Sequence, residues 1–305
     1  MTKFTDLLKS KPVILDGGMG SLLFDAGLPA GTAPESLNIE RPDLISDIHR
    51  QYMLAGSDIV QTNTFGGNSH RLKESKCHYT VEEINRAGVQ LAFNARSSQF
   101  SHCLIAGNIG PTGLMLPPLG HADERMLIDI FSEQCSTLSS AGVDLITIET
   151  MSDLREARAA LRAVLKTCNI PATVCMTFRK TKRGFFTIFG DPVLQSLQSL
   201  LEEGAAGVGV NCTLSTKGML ELAESVRKDI SGFFILEPNA GEPKLDSKQG
   251  TTRITYPETP DDFFLFARSC ISIGVDVIGG CCGSGPKHVQ KIAEAKKSRD
   301  ANRPS

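Results

Sequence analysis

The order of apolar runs in this chain predicts an α/β protein: a single-domain (β/α)8 barrel of the TIM type. Three observations carry that expectation. Short apolar runs rich in β-branched residues recur eight times, as in strands buried on both faces. Stretches with apolar residues at helical spacing lie between them. The runs also carry polar residues at their C-terminal ends, where such barrels build their sites. A doubly wound open sheet is the competing arrangement, because rhythm alone does not prove closure. A chain of 305 residues suits one such barrel.

The first predicted strand is VILDGG (13–18), followed by DIVQTNTF (58–65), CLIAGNIG (103–110) and DLITIET (144–150). ATVCMTF (172–178), AGVGVNC (206–212), FFILEPN (233–239) and VDVIGG (275–280) complete the set. The first full helix is Asp43–Ala55, with Leu44, Ile45, Ile48, Tyr52 and Met53 on one face. Val81–Ala95, Asp123–Ala141, Asp153–Leu165, Val193–Glu203, Thr216–Lys228, Asp261–Ser272 and Pro286–Ala295 follow. Several open on Asp or Thr at the cap or on Pro in the first turn. Three helices end in one phrase: Ala55-Gly56-Ser57-Asp58, Ala141-Gly142-Val143-Asp144 and Ile273-Gly274-Val275-Asp276. Each reads as a glycine helix stop followed at once by a strand. No linker divides the chain. Residues 1–296 are assigned to the barrel, and 297–305, KSRDANRPS, to a flexible tail.

Composition narrows the function. Hydrophobic residues make up 41%, charged residues 22%, and the formal net charge is −2, as in ordinary soluble proteins. No strong basic patch stands out in the sequence, which argues against nucleic acid or an anionic membrane as partner. No run reaches the roughly 18 apolar residues of a membrane span. The N-terminus lacks the apolar core of a secretory signal, so the expected location is cytoplasmic. The nine cysteines are odd in number and scattered, so they read as free thiols in a reducing compartment.

The polar strand ends are Asp16, Asn63, Thr64, Asn108, Glu149, Thr177, Asn211, Cys212, Glu237, Asn239, Cys281 and Cys282. Eight ends doing this together favour a shared site over eight separate loop caps. Cys281 and Cys282 are the most informative. Consecutive residues on a regular strand face opposite sides, so both thiols reach one ligand only if the backbone turns. Gly279, Gly280 and Gly283 are expected to permit that turn. Two convergent thiols suit a soft metal, and zinc is the common choice. Cys212, ending the sixth strand, supplies a third thiolate on the same rim. Three protein ligands with one open position is the catalytic zinc pattern. A zinc among three thiolates is a modest Lewis acid. It suits holding a substrate thiol as thiolate better than making hydroxide. A buried pair without function, and a phosphate loop opening onto the last helix, remain alternatives from spacing alone.

The phrases LDGGMGS (15–21), QTNTFGGN (61–68), GNIGPTG (107–113), IETMSD (148–153), VNCTLS (210–215), EPNAGEP (237–243) and GGCCGSGPKHV (279–289) carry a resemblance. The chain resembles the zinc-dependent homocysteine S-methyltransferases over about residues 10–295, and looks most like the homocysteine-binding module of cobalamin-dependent methionine synthase. The resemblance implies a (β/α)8 barrel and methyl transfer to homocysteine. It places zinc on Cys212, Cys281 and Cys282. It implies that Asp16 and Glu149 hold the substrate ammonium, a natural task for carboxylates. Gly17 and Gly18 would then offer amide N–H groups to the substrate carboxylate, and Thr64 and Asn239 would line the pocket. Asp153 is read as a helix N-cap.

The methyl donor is the open part. Betaine calls for an aromatic cage, whereas this chain has no tryptophan and three tyrosines. In methionine synthase separate domains bind folate and cobalamin, and this chain carries neither. The resemblance therefore implies a donor brought from outside. Methylcobalamin on a separate corrinoid protein is the leading expectation, with a sulfonium (S-methylmethionine or S-adenosylmethionine) or betaine as alternatives. A non-catalytic zinc–thiol subunit and a phosphate-binding barrel enzyme are the remaining classes.

Overall fold

The computed structural model describes residues 2–29, 31–248 and 251–301. A short helix α1 (Lys3–Leu7) leads into strand β1 (Val13–Ile14), and α2 (Met19–Asp25) and α3 (Leu37–Glu40) occupy the long connection that follows. Next come α4 (Pro42–Ala55), β2 (Ile59–Gln61), α5 (Ser69–Glu74), α6 (Val81–Ala95), β3 (Leu104–Ile109) and α7 (Glu124–Ser140). The middle of the chain forms β4 (Leu145–Met151), α8 (Leu154–Thr167) and β5 (Ala172–Met176), then a hairpin of β6 (Arg179–Thr181) and β7 (Gly184–Phe186). After α9 (Val193–Glu202), β8 (Gly207–Asn211), α10 (Thr216–Val226) and β9 (Phe233–Glu237) stands a second hairpin, β10 (Lys244–Lys248) and β11 (Thr251–Thr255). The chain finishes with α11 (Pro260–Ile273), β12 (Val277–Ile278) and α12 (Pro286–Ala301).

Eight strands run in the order β2-β3-β4-β5-β8-β9-β12-β1, and every ladder among them is parallel. All eight predicted strands are present. The seam between β1 and β2 has no regular ladder, but two aspartates bridge it. At the lower end Asp58 N donates to Ile14 O at 2.7 Å, and Ile14 N donates to the Asp58 carboxylate at 2.9 Å. At the upper end Gln61 N donates to Asp16 Oδ2 at 2.8 Å. The barrel is nearly closed, and the open-sheet alternative is set aside.

The repeated Gly-x-Asp phrase now has a fuller explanation. Gly56, Gly142 and Gly274 have φ of 104°, 95° and 81°, the left-handed conformation that ends a helix cheaply only at glycine. Each following aspartate then staples its strand to a neighbour. Asp144 accepts from Ile105 N at 3.0 Å, and Asp276 from Phe234 N at 2.9 Å, just as Asp58 does from Ile14. Basic side chains cover these buried charges: Lys296 on Asp58, Lys3 and Arg96 on Asp144, Lys11 and Arg227 on Asp276. The lower face is thus built for stability.

Alternation along the strands decides what fills the barrel. Phe4, Leu8, Val13, Leu15, Ile59, Leu104, Ala106, Leu145, Cys175, Ile235 and Val277 form one buried cluster inside it. Phe4 from α1 plugs the bottom, fully buried and edge-on to Phe233. Burying such a ring is worth roughly 1.5–3 kcal/mol. Two residues further up each strand the same inward face turns polar: Gln61 after Ile59, Asn108 after Ala106, Glu237 after Ile235, and Thr147 then Glu149 after Leu145. The larger apolar cluster lies outside, between strands and helices.

Some expectations shift. Strands β1 and β12 stop before their glycines, so DGG and GGCC lie beyond the ladders. Two hairpins stand where no strand was predicted. The segment Gly241–Asp261 holds the second of them. Helix α12 runs on to Ala301, so 297–301 continue the last helix, because nothing there breaks it; 302–305 lie outside the described residues. The first hairpin concentrates Arg179, Lys180, Lys182 and Arg183, all exposed, a local basic patch that the near-neutral net charge concealed. Among the described residues no helix is long and apolar enough to cross a membrane.

Candidate active site

The loop after β12 is fastened on every side. Gly280 N donates to Asp16 O at 3.0 Å, Cys281 N to Pro238 O at 2.8 Å, and Ala240 N to Cys282 O at 2.9 Å. Ser284 closes the turn by donating both N–H and hydroxyl to Cys281 O, at 3.1 and 2.7 Å. Only Gly283 of the three expected glycines is left-handed, with φ 79°. There a Cβ would sit 2.2 Å from the Tyr256 ring. Gly279 and Gly280 are needed for closeness rather than for dihedral freedom. A Cβ would lie 2.9 Å from Asp16 O at Gly279 and 2.3 Å from Ser284 Oγ at Gly280.

The third cysteine arrives through strain that the sequence did not announce. Cys212 and Thr213 both hold left-handed backbones, with φ of 57° and 54°, which costs on the order of 1–3 kcal/mol per residue. Thr213 Oγ1 donates to Phe178 O at 2.9 Å, and Cys212 N donates to Glu237 O at 3.0 Å, and these bonds hold the bend. The Sγ atoms of Cys212, Cys281 and Cys282 then lie within 4.8 Å of one another, and those of Cys212 and Cys282 are 3.9 Å apart. Two thiolates on one tetrahedral zinc are separated by about 3.8 Å, given zinc–sulfur bonds near 2.3 Å. The cluster fits that ion. Without it, hydrogen bonds from Cys212, then Cys281, hold the Cys282 thiol down to about 3, with help from the Tyr256 hydroxyl. Cys281 is pushed well up, chiefly by its bonds to Cys212 and Cys282. The three sulfurs thus share one negative charge, as a compact donor set does.

Beside the sulfurs lie two buried carboxylates. Asp16 is 2% exposed. One oxygen closes the barrel seam through Gln61, and the other, Oδ1, is buried with no partner among the described residues. Burial, opposed by the Gln61 amide and reinforced by Glu149, holds its carboxyl well above the usual range. Glu149 is placed by a bulge: the register of β4 on β5 slips between Ile148 and Met151, and Thr150 has φ 62°. Asn108 Nδ2 donates to Glu149 Oε1 at 2.5 Å, and Asn211 Nδ2 to Oε2 at 3.1 Å. Burial pushes Glu149 up to about 7, with Asn108 opposing and Cys212 adding. Two buried acids this close together are costly unless a positive charge offsets them.

The other expected residues divide. Gly18 N donates to Ser284 O at 3.1 Å, so that amide is committed to the cysteine loop, and a Cβ there would meet Cys281 O at 2.6 Å. Among the described residues the Gly17 amide donates to no protein group, and Tyr52 and Ser284 crowd its Cα. Asn239 Oδ1 is buried without a partner. Thr64 is fully buried, its hydroxyl donating to Asn108 O at 2.7 Å, which supports Asn108 from behind. Asp153 caps α8 through Arg155 N, as expected.

Sequence reasoning named Asn108, Asn211 and Glu237 only as strand ends. Asn211 also accepts from Thr150 N and donates to Thr150 Oγ1, both at 2.8 Å, so it braces the bulge. Glu237 is a third buried acid, its carboxyl held well up by burial and by Glu149 and Asp16. Its strand position was the available signal. Glu35 and Glu156 had none. Glu35 accepts from Gly66 N at 2.6 Å, and Glu156 from Thr112 N at 2.8 Å. They shape the QTNTFGGN and GNIGPTG phrases from within.

Comparison with known proteins agrees with this geometry. The homocysteine S-methyltransferase family model matches residues 13–296. The methionine synthase of Mycobacterium leprae is 30% identical over 309 aligned residues, covering 95% of this chain and 25% of that protein. The methionine synthase of Mycobacterium tuberculosis is 29% identical, covering 96% of this chain and again 25% of the relative. The chain thus spans about a quarter of the length of these relatives. The metallated form of the homocysteine methyltransferase MmuM from Escherichia coli superposes with a TM-score of 0.78 at 20% identity, covering 98% of this chain and 100% of that one, which shows a shared fold. With that fold, the cysteine cluster and a family match over nearly its whole length, the chain belongs to the homocysteine S-methyltransferases, a family of enzymes.

Proposed function

We propose that this protein transfers a methyl group to the thiol of homocysteine, giving methionine, with zinc on Cys212, Cys281 and Cys282. The single observation that carries the reading is the convergence of three sulfurs within 4.8 Å at the rim, beside a buried carboxylate oxygen with no partner. Zinc held there supplies a Lewis acid that keeps a coordinated thiol deprotonated at neutral pH.

The protein's own residues do the rest. Asp16 Oδ1 and Glu149 receive the substrate ammonium and gain the counter-charge their burial demands. The Gly17 amide meets the carboxylate. Asn108 and Asn211 fix the Glu149 carboxylate against rotation, and Ser284 fixes the loop that carries two cysteines. The substrate is then held at both ends, with its sulfur toward the open rim. A sulfur–carbon bond forms as the bond from the methyl carbon to its leaving group breaks, the electron pair staying with the leaving group.

The donor proposed is methylcobalamin, carried by a separate corrinoid protein in a reducing cytoplasmic setting. Supporting this are the sequence match to methionine synthases and the two hairpins that follow the C-terminal ends of β5 and β9. Tyr52, Tyr256 and Phe263 all pack on the cysteine loop, but Tyr52 and Phe263 are fully buried, which leaves Tyr256 as the partly exposed ring of the three. A small sulfonium donor is the second reading, since the same pocket needs no further domain to accept it.

The test assays methionine formation from homocysteine with methylcobalamin, S-methylmethionine, S-adenosylmethionine and betaine, together with zinc content. One zinc per chain is expected, with transfer from methylcobalamin and negligible transfer from betaine. Cys281→Ser should lose metal and activity together. Full activity in reduced, metal-free protein would overturn the zinc reading. Activity with betaine alone would overturn only the donor.

A further inference from the structure

Two cysteines outside the site form a second thiol pair. Cys135 lies in α7 and is fully buried. Cys168 is the C-terminal cap of α8, partly exposed. Its Sγ is 3.4 Å from Cys135 O and 3.3 Å from Thr167 Oγ1. Helices α7 and α8 are adjacent, and their ends bring residues 33 apart in sequence side by side. Neither residue belongs to the metal cluster.

We propose that Cys168 and Cys135 are a peroxide-sensitive pair that closes to a disulfide, joining α7 to the end of α8. The environment assigns the roles. A hydrogen bond from the Cys135 thiol, opposed by burial and aided by Thr167 and Ser139, lowers Cys168 to about 6. The same bond, with burial, raises Cys135 far above its ordinary value. Protonated, Cys168 donates to the Cys135 carbonyl; ionised, it gives up that contact and is held by the surrounding donors. Cys168 is therefore the nucleophile, since thiolate and access decide reactivity. Its thiolate attacks one oxygen of hydrogen peroxide, the oxygen–oxygen bond breaks, and hydroxide leaves, giving a sulfenic acid. The Cys135 thiol then attacks that sulfur, forming the disulfide. Its proton and the departing hydroxyl leave as water. Two thiols are oxidised and one peroxide is reduced to two waters.

The experiment uses the full-length, zinc-loaded protein, so that Cys212, Cys281 and Cys282 are shielded. It is treated with stoichiometric peroxide, alkylated and digested with trypsin without reduction. The expected product is peptide 126–155 joined to peptide 167–179, cleaved by dithiothreitol. Fragmentation must place the bridge on Cys168 rather than on Cys175, which shares its peptide. Cys168→Ser should abolish the bridge and leave methyl transfer unchanged. Cys135→Ala should instead trap Cys168 as sulfenic acid, captured by dimedone. A bridge that persists in Cys168→Ser, or a Cys168 that stays reduced while other thiols oxidise, overturns the proposal. So does Cys168 oxidised beyond sulfenic acid in the wild type with no bridge.

Discussion

Asn211 Nδ2 donates to Glu149 Oε2 at 3.1 Å, and the next residue in the chain is Cys212, a member of the sulfur cluster. One strand end thus serves both halves of the site. It orients the carboxylate proposed to receive the substrate ammonium and launches the bend that delivers a sulfur. Asn211 also lies 4.0 Å from Cys281 Sγ and braces the bulged Thr150 on both sides.

Asn211→Ala should therefore damage substrate affinity more than metal content. Leaving buried groups unpaired costs roughly 1–3 kcal/mol. That corresponds to a homocysteine Kd weakened by about 5- to 150-fold. Titration calorimetry with homocysteine, alongside zinc analysis, checks it. Normal affinity would show that Glu149 is held adequately by Asn108 alone.

Asp16→Asn and Glu149→Gln should each weaken homocysteine binding while zinc stays in place, by a few kcal/mol for loss of a buried charge partner. The pH dependence follows from Glu149. Its carboxyl sits near 7 in the empty pocket, and the ammonium prefers the ionised form. Affinity should fall as pH drops below about 7, and the fall should flatten in Glu149→Gln. Using 2-aminobutyrate, which has no thiol, keeps metal–sulfur chemistry out of the reading. An unchanged profile in the variant would assign the titration elsewhere.

Gly283→Ala tests the loop. Its φ of 79° disfavours any side chain, and the new Cβ would strike the Tyr256 ring at 2.2 Å. The loop must shift, separating Cys282 from Cys212. Zinc affinity should drop at least tenfold in a competition assay with a chelator. Retention of tight zinc would mean that Tyr256 yields easily.

His49 offers a test remote from the site. It is fully buried in α4, and neither ring nitrogen has a partner among the described residues. Burial lowers its pKa from 6.5 to about 4. The unfolded chain binds that proton more readily, so stability falls as pH drops from about 6.5 toward 4. The loss is on the order of 3 kcal/mol. His49→Leu should at least match the wild type at pH 7, and its advantage should grow through that window in paired thermal melts. Parallel melting curves across pH would sink this account.

The sequence by itself determined the strand–helix rhythm and singled out the three cysteines whose sulfurs the fold brings together. Periodicity is local, and short buried strands, glycine stops and caps announce themselves within a few residues. GGCCGSGPKHV and VNC were legible because they carry the family resemblance; their spacing alone left a phosphate loop open. Tertiary structure alone decided how those pieces are aimed. Cys212 reaches the cluster through a left-handed backbone at a residue that does not favour it. Gly279 is glycine because the Asp16 backbone, hundreds of positions away in the chain, approaches it, and Gly280 because Ser284 folds back over it. Gly18 spends its amide on Ser284, a bond no spacing rule exposes. Glu35 and Glu156 carry no local signal, because their partners are backbone donors distant in sequence. Hydrogen bonds across the barrel rim depend on closure, and closure joins the first strand to the last.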